Sequence, residues 1–125
     1  MRLRPLIKDI VNDVNLYPNV EINNISTNSR AIKKGSLFFA IKGSNHDGHE
    51  YISDAIKNKV SAIIANKTLK NLPVPLIKVK DTRRVLSKIA SKFYKNPSKK
   101  EKYTYWIKVI ELLEKRTINF NFFFG

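Results

Sequence analysis

Apolar positions change their spacing along this chain, and each change marks an element. Leu6, Ile7, Ile10 and Val11 recur at helical intervals, with Pro5 where a first turn tolerates it, which predicts a short helix over residues 4–13. Residues 20–25 predict a strand that runs out among Asn, Ser and Thr. A turn around Gly35 follows, and then LFFAI at 37–41 is too apolar to alternate and too short for a helix, the mark of a buried strand. Asp47 and Glu50 stand at capping-box spacing ahead of a helix whose face is Tyr51, Ile52, Ala55 and Ile56. SAIIA at 61–65 and PLIKV at 75–79 predict two further buried strands, separated by the loop KNLPVP. Asp81 or Thr82 caps a last helix carrying Val85, Leu86, Ile89, Ala90, Phe93 and Tyr94 on one face, closed by Asn96-Pro97.

Strands alternating with helices imply an α/β fold with a small mixed or partly parallel sheet covered by helices. In open α/β sheets ligands bind beyond the carboxyl ends of strands. Two polar clusters stand at such places: STNSR after the 20–25 strand and GSNHDG after 37–41. If these strands are parallel neighbours, both clusters open on one edge; if they form an antiparallel hairpin, the clusters fall at opposite ends. Periodicity does not choose between the two.

Composition narrows the functional classes. A chain of 125 residues with 42% hydrophobic content is enough for one modest domain. It has no apolar run of about 18 residues, and Asp9 and Asp13 interrupt the start too early for a signal peptide. With no cysteine, disulfides and thiolate zinc sites are excluded. A cytoplasmic monomer is expected, with no membrane contact. The formal net charge of +14 raises nucleic acid as a partner. However, the excess is mostly lysine, scattered among many Asn and Ile, as an AT-rich coding sequence would produce, and no nucleic-acid motif is visible. A small anionic ligand ranks above nucleic acid.

The polar clusters offer that ligand a site. A polar loop entering a helix N-terminus presents free backbone N–H groups to an anion. Gly43 and Gly48 let the backbone come close, and Ser44 and Asn45 add side-chain hydrogen bonds. Thr27, Asn28 and Ser29 carry hydroxyl and amide groups suited to sugar, uracil or phosphate oxygens. Arg30 either clamps a phosphate or braces a loop carboxylate such as Asp47. Each of these residues also has a plain reading as a cap or turn former. His46 and His49 are three apart but lack a third ligand, so no metal is expected. No catalytic triad can be read from the spacing. None of the four glycines is followed by lysine, so the P-loop that holds ATP phosphates is absent from these residues.

The stretch STNSRAIKKGSLFFAIKGSNHDGHEYISDAIKNKVSAIIA resembles the N-terminal domain of the Mur ligases. The family pattern appears as Asn28-Ser29-Arg30, Gly35-Ser36-Leu37-Phe38-Phe39-Ala40, Gly43, Asp47-Gly48 and Ala62-Ile63-Ile64-Ala65. The segment 88–100, KIASKFYKNPSKK, looks like the family's approach to its central domain. The likeness covers roughly residues 3–100 and is greatest to the members that add the third residue of the peptidoglycan stem peptide, a choice that FYKNPS at 93–98 favours; the sister members that add the terminal dipeptide share much of the pattern. It implies a domain over 1–98 that binds the UDP-N-acetylmuramoyl-dipeptide end of the substrate. Thr27, Ser29, Ser44, Asn45 and His46 would be the contacts. In the full-length family, ATP and magnesium belong to a central domain and the incoming amino acid to a C-terminal one. No catalytic residue and no cofactor are therefore expected within this chain. Asn28 stands where the family usually has Asp.

After Ser98 the likeness ends. Residues 99–125 read EKYTYWIKVIELLEKRTINFNFFFG after two lysines, with Trp106, Val109, Ile110 and Leu113 at helical spacing and an apolar end. A truncated product with a shifted reading frame is the expectation for this tail; a genuine tail that docks on the domain or a partner is the alternative. Two other functional readings stand beside the ligand-binding domain: a basic nucleic-acid module, and an inert, marginally folded fragment.

Overall fold

The computed structural model describes residues 1–28, 32–41 and 51–94. The elements are helix α1 (Leu3–Ile7), strands β1 (Asn24–Ser26) and β2 (Ser36–Phe39), helix α2 (Ile52–Lys57), strands β3 (Ala62–Ala65) and β4 (Leu76–Lys78), and helix α3 (Thr82–Phe93). A single 3-10 turn, Val14–Leu16, follows α1. The strands form one sheet in the order β1-β2-β3-β4, and every pairing is parallel. The expected partly parallel sheet is thus parallel throughout the described strands.

Side-chain alternation sorts the sheet's residues between two cores. Ile25, Leu37, Phe39, Ala62, Ile64 and Ile77 join Leu3, Leu6 and Ile7 of α1 and Val85, Leu86, Ile89 and Ala90 of α3. Phe38, Ala40, Ile63 and Ala65 face the other way, onto Ile32, Ile52, Ala55 and Val60. All four residues of β2 and of β3 are buried, which is why neither run alternates in the sequence. The three connections between successive strands all contribute to the second core, through Ile32, through Ile52 and Ala55, and through Leu72 and Val74. Each crossover therefore advances one strand on the same face, so all share one hand, as strand twist requires.

The link from β1 to β2, residues 27–35, is shorter than the dozen or so residues usual for a parallel crossover. It suffices because β1 has only three residues to retrace. Residues 20–22 explain why β1 is short. The Leu3 amide donates to the Val20 carbonyl at 2.9 Å and the Ile22 amide to the Met1 carbonyl at 2.8 Å. Half of the expected 20–25 strand thus pairs with the N-terminal segment, and only its end joins the sheet. The expected helix over 4–13 is likewise shorter. Beyond Ile7 the backbone continues in turns, with the Ile10 and Val11 amides both donating to the Ile7 carbonyl. Asp13 then caps the 3-10 turn by accepting from the Asn15 amide at 2.9 Å, a competing local bond that Asp makes readily. Ile10 and Val11 still pack on the first core.

α3 starts where the sequence places it, with the Asp81 carboxylate accepting from the Arg84 amide at 3.1 Å. Its far end is tied to the turn after α1: Lys92 Nζ donates to Asp9 Oδ2 at 2.6 Å. That hydrogen bond, and secondarily the lysine's charge, hold the Asp9 carboxyl below its ordinary value of 3.8. Because the folded-state value is the lower one, the stabilisation is present above pH 3.8 and is lost as the pH falls through the folded value. Asp9 is solvent-exposed, so the effect is small. Asp9→Asn is expected to melt slightly below the native protein at pH 6, with the two melting temperatures converging in acid below that value. A gap that persists unchanged in acid would contradict the assignment.

Candidate functional site at the carboxyl edge of the sheet

The parallel pairing of β1 and β2 decides at which edge the chain leaves each strand. In register, Asn24 lies beside Ser36, Ile25 beside Leu37 and Ser26 beside Phe38. Both strands end on the same edge, one inter-strand spacing of about 4.8 Å apart. The chain thus leaves β1 at Thr27 and β2 at Ala40 on one edge, where the parallel alternative requires them and the hairpin alternative does not. The two exits are not level. β1 ends opposite Phe38, whereas β2 keeps its hydrogen bonding as far as Ala40, whose amide donates to the Ile64 carbonyl at 2.9 Å. Two more residues of strand make a step of roughly 7 Å between the two exits.

That turn is built by a residue the sequence reading did not single out. The Ser26 side chain is buried, and its hydroxyl donates to the Asn28 carbonyl at 2.9 Å. The same oxygen accepts from the Asn28 amide at 3.1 Å. One hydroxyl thus closes the turn from both sides, with half-buried Thr27 at its apex and Asn28 exposed. The only available signal was Ser26 at the last strand position, on the opposite face from Ile25 and ahead of two polar residues. A serine there reads equally as strand, turn or cap.

At the opposite edge the polar groups are structural. Ser36 is fully buried, and its Oγ accepts from the Lys33 amide at 3.1 Å and from Asn24 Nδ2 at 3.2 Å. Gly35 has φ +87, the left-handed region that the turn into β2 demands. These bonds fix the start of β2, and through it the register that aligns the carboxyl ends.

Of the residues expected to meet a ligand, Thr27 stands at the described edge. Ser29, Arg30, Ser44, Asn45 and His46 lie outside the described residues, as do Gly43, Asp47, Gly48, His49 and Glu50. Among the described residues no group of three or more His, Asp or Glu side chains could hold a metal ion. None of the described helices is long and apolar enough to cross a membrane.

Comparison with known proteins gives this edge its context. The family model described as "Mur ligase family, catalytic domain" matches residues 21–94, which include all four strands, α2 and α3. The UDP-N-acetylmuramoyl-L-alanyl-D-glutamate--2,6-diaminopimelate ligase of Clostridioides difficile is 44% identical over 102 residues, 80% of this chain and 21% of that protein. The ligase of the same name from Caldanaerobacter subterraneus subsp. tengcongensis is 40% identical over 101 residues, again 80% of this chain and 21% of the relative. Among solved structures, the MurF ligase of Thermotoga maritima in complex with ADP superposes with a TM-score of 0.52 at 31% identity, covering 56% of this chain and 16% of that one. One crystal structure of MurF from Acinetobacter baumannii gives a TM-score of 0.55 at 26% identity over 62% of this chain and 17% of that one. The chain spans about a fifth of the length of the curated relatives it matches. Family match, relatives and fold agree: this chain belongs to the Mur ligase family.

Proposed function

We propose that this chain binds the UDP-N-acetylmuramoyl-dipeptide substrate of a peptidoglycan ligase that adds the third stem-peptide residue, and that it does so at the carboxyl edge of β1 and β2. The observation that carries the reading is the parallel register of those strands, which brings the chain out of both at one edge, ahead of the two polar stretches in the sequence. The names of the C. difficile and C. subterraneus relatives supply the substrate class. Residues 1–98 form the binding unit and 99–125 a separate tail, in keeping with a family match over 21–94.

The chemistry asked of this edge is recognition, not bond making. The Thr27 hydroxyl both donates and accepts, which suits a uracil carbonyl or a sugar hydroxyl. Ser29, Ser44, Asn45 and His46 complete the contacts, and Arg30 either pairs with the diphosphate or braces the loop. Asn28 replaces the family's usual Asp, so its contribution is a neutral hydrogen bond. ATP and magnesium act in another part of the full-length ligase. No glycine in this chain is followed by lysine, so no residue here is assigned to the phosphates of ATP. Ligation needs ATP, metal and both substrates held together, and the chain alone is assigned binding without turnover, in the cytoplasm and as a monomer.

Calorimetric titration of the 125-residue chain with UDP-N-acetylmuramoyl-L-alanyl-D-glutamate tests the reading. Saturable one-to-one binding is expected, weakened when the muramoyl dipeptide is trimmed to UDP and only modestly sensitive to salt. Binding to duplex DNA that falls steeply with salt, with none to the nucleotide sugar, would instead favour a basic nucleic-acid module. Amide formation by the pure chain with ATP and diaminopimelate would overturn the assignment of binding without turnover.

A further inference from the structure

We propose that Ser26 is a positioning residue for this site: its hydroxyl holds the turn after β1 in the one shape that presents Thr27 to the ligand. The inference rests on the binding reading above and assigns Ser26 no contact with the ligand.

Two features carry it. Ser26 is 5% exposed at the last position of β1, so its hydroxyl is not available to a ligand in solvent. Both polar capacities of that hydroxyl are spent on one neighbour, as donor to the Asn28 carbonyl at 2.9 Å and as acceptor from the Asn28 amide at 3.1 Å. The two bonds pin both backbone groups of Asn28 and leave Thr27 as the apex between fixed points. Both bonds are only part-buried, so water can reach the Asn28 backbone groups if the hydroxyl is removed. Losing it therefore leaves the fold intact but lets the turn sample many shapes. Binding must then order the turn again, and affinity falls. A serine that merely filled space at a strand end would behave differently: alanine would fill the same space.

The experiment compares Ser26→Ala and Ser26→Thr with the native chain by thermal melting, by titration with UDP-N-acetylmuramoyl-L-alanyl-D-glutamate, and by hydrogen exchange at the Asn28 amide. Ser26→Ala is expected to bind at least tenfold more weakly while melting within a few degrees of the native chain, with Asn28 exchanging at least tenfold faster. Ser26→Thr, which keeps the hydroxyl, is expected to bind within about threefold of native and to retain the slow exchange. Native-like binding by Ser26→Ala would overturn the proposal, as would unchanged exchange at Asn28. If the native chain itself fails to bind the nucleotide sugar, the functional reading falls separately. The Asn28 exchange rate then still decides whether Ser26 holds the turn.

Discussion

Phe39→Ala is expected to destabilise the domain by about 3–5 kcal/mol, the range for deleting a buried phenylalanine side chain from a packed core. Phe39 is completely buried and lies beside Ile64 in the sheet register. Its ring belongs to the core shared by α1 and α3. Among the described residues the space around it is lined by the sheet on one side and by α1 and α3 on the other. A domain of this size has about 5–15 kcal/mol of total stability, so the loss consumes a large part of it. In urea the midpoint should drop sharply with little change in slope, or the cooperative transition should disappear. Leu16→Ala provides the control. Leu16 is 76% exposed in the 3-10 turn, and its removal should shift stability by no more than about 0.5 kcal/mol. Equal effects from the two substitutions would mean that the first core is not where the fold places it.

Gly35→Ala is the second large effect, expected at about 1–3 kcal/mol for a side chain forced into left-handed backbone. At φ +87 any L-residue is strained. An added Cβ would also stand 2.5 Å from Asn23 Nδ2 and 3.2 Å from its Cγ. The two causes separate experimentally. Asn23 is exposed and its amide can swing away, so the double variant Asn23→Ala/Gly35→Ala should recover the clash and leave the backbone strain. Full recovery in the double variant would show that φ contributes nothing; no recovery would show that the contact is harmless. The Asn23 amide donates to the Gly35 carbonyl at 2.9 Å, and the next pair in register is Asn24 with Ser36. Disturbing Gly35 therefore acts at the opposite edge from the candidate site, and weakened ligand binding in folded Gly35→Ala would have to travel through strand register.

Most elements were legible because burial leaves a simple mark in sequence. The runs at 37–41, 61–65 and 75–79 are apolar because β2 and β3 are buried on both faces and β4 on at least one, and they become strands in place. α3 was legible for a different reason: one apolar stripe and a capping Asp81 sit at the spacing a helix needs. Continuous burial also erased information. A run that does not alternate carries no register, so parallel pairing of β1 with β2 could not be told from a hairpin, and the position of the site hung on that choice. Residues 20–25 misled because a strand can change partner partway. Residues 20–22 answer to the N-terminus and 24–26 to β2, and no turn residue such as Gly or Pro separates them. α1 ended early because turn bonds after Ile7 and the Asp13 cap competed with helix while leaving the apolar spacing unchanged.

The candidate site was legible in kind more than in detail. Hydroxyl and amide groups after two strands pointed to a polar ligand, and Thr27 does stand at the carboxyl edge. Ser26 escaped notice because its role depends on two local hydrogen bonds to Asn28, which no spacing rule encodes. Ser36 was similarly silent: its burial beneath Lys33 and Asn24 comes from the tertiary fold.

The central claim is a place: the nucleotide sugar binds where β1 and β2 end. Amide chemical shifts of the labelled chain, recorded while UDP-N-acetylmuramoyl-L-alanyl-D-glutamate is added, test it most directly. Saturable shifts concentrated at Thr27, Asn28, Ala40 and Ile41, with Gly35, Lys59 and Ser61 at the opposite edge unmoved, are the predicted result. Shifts confined to that opposite edge, or to the exposed face of α3, would contradict it.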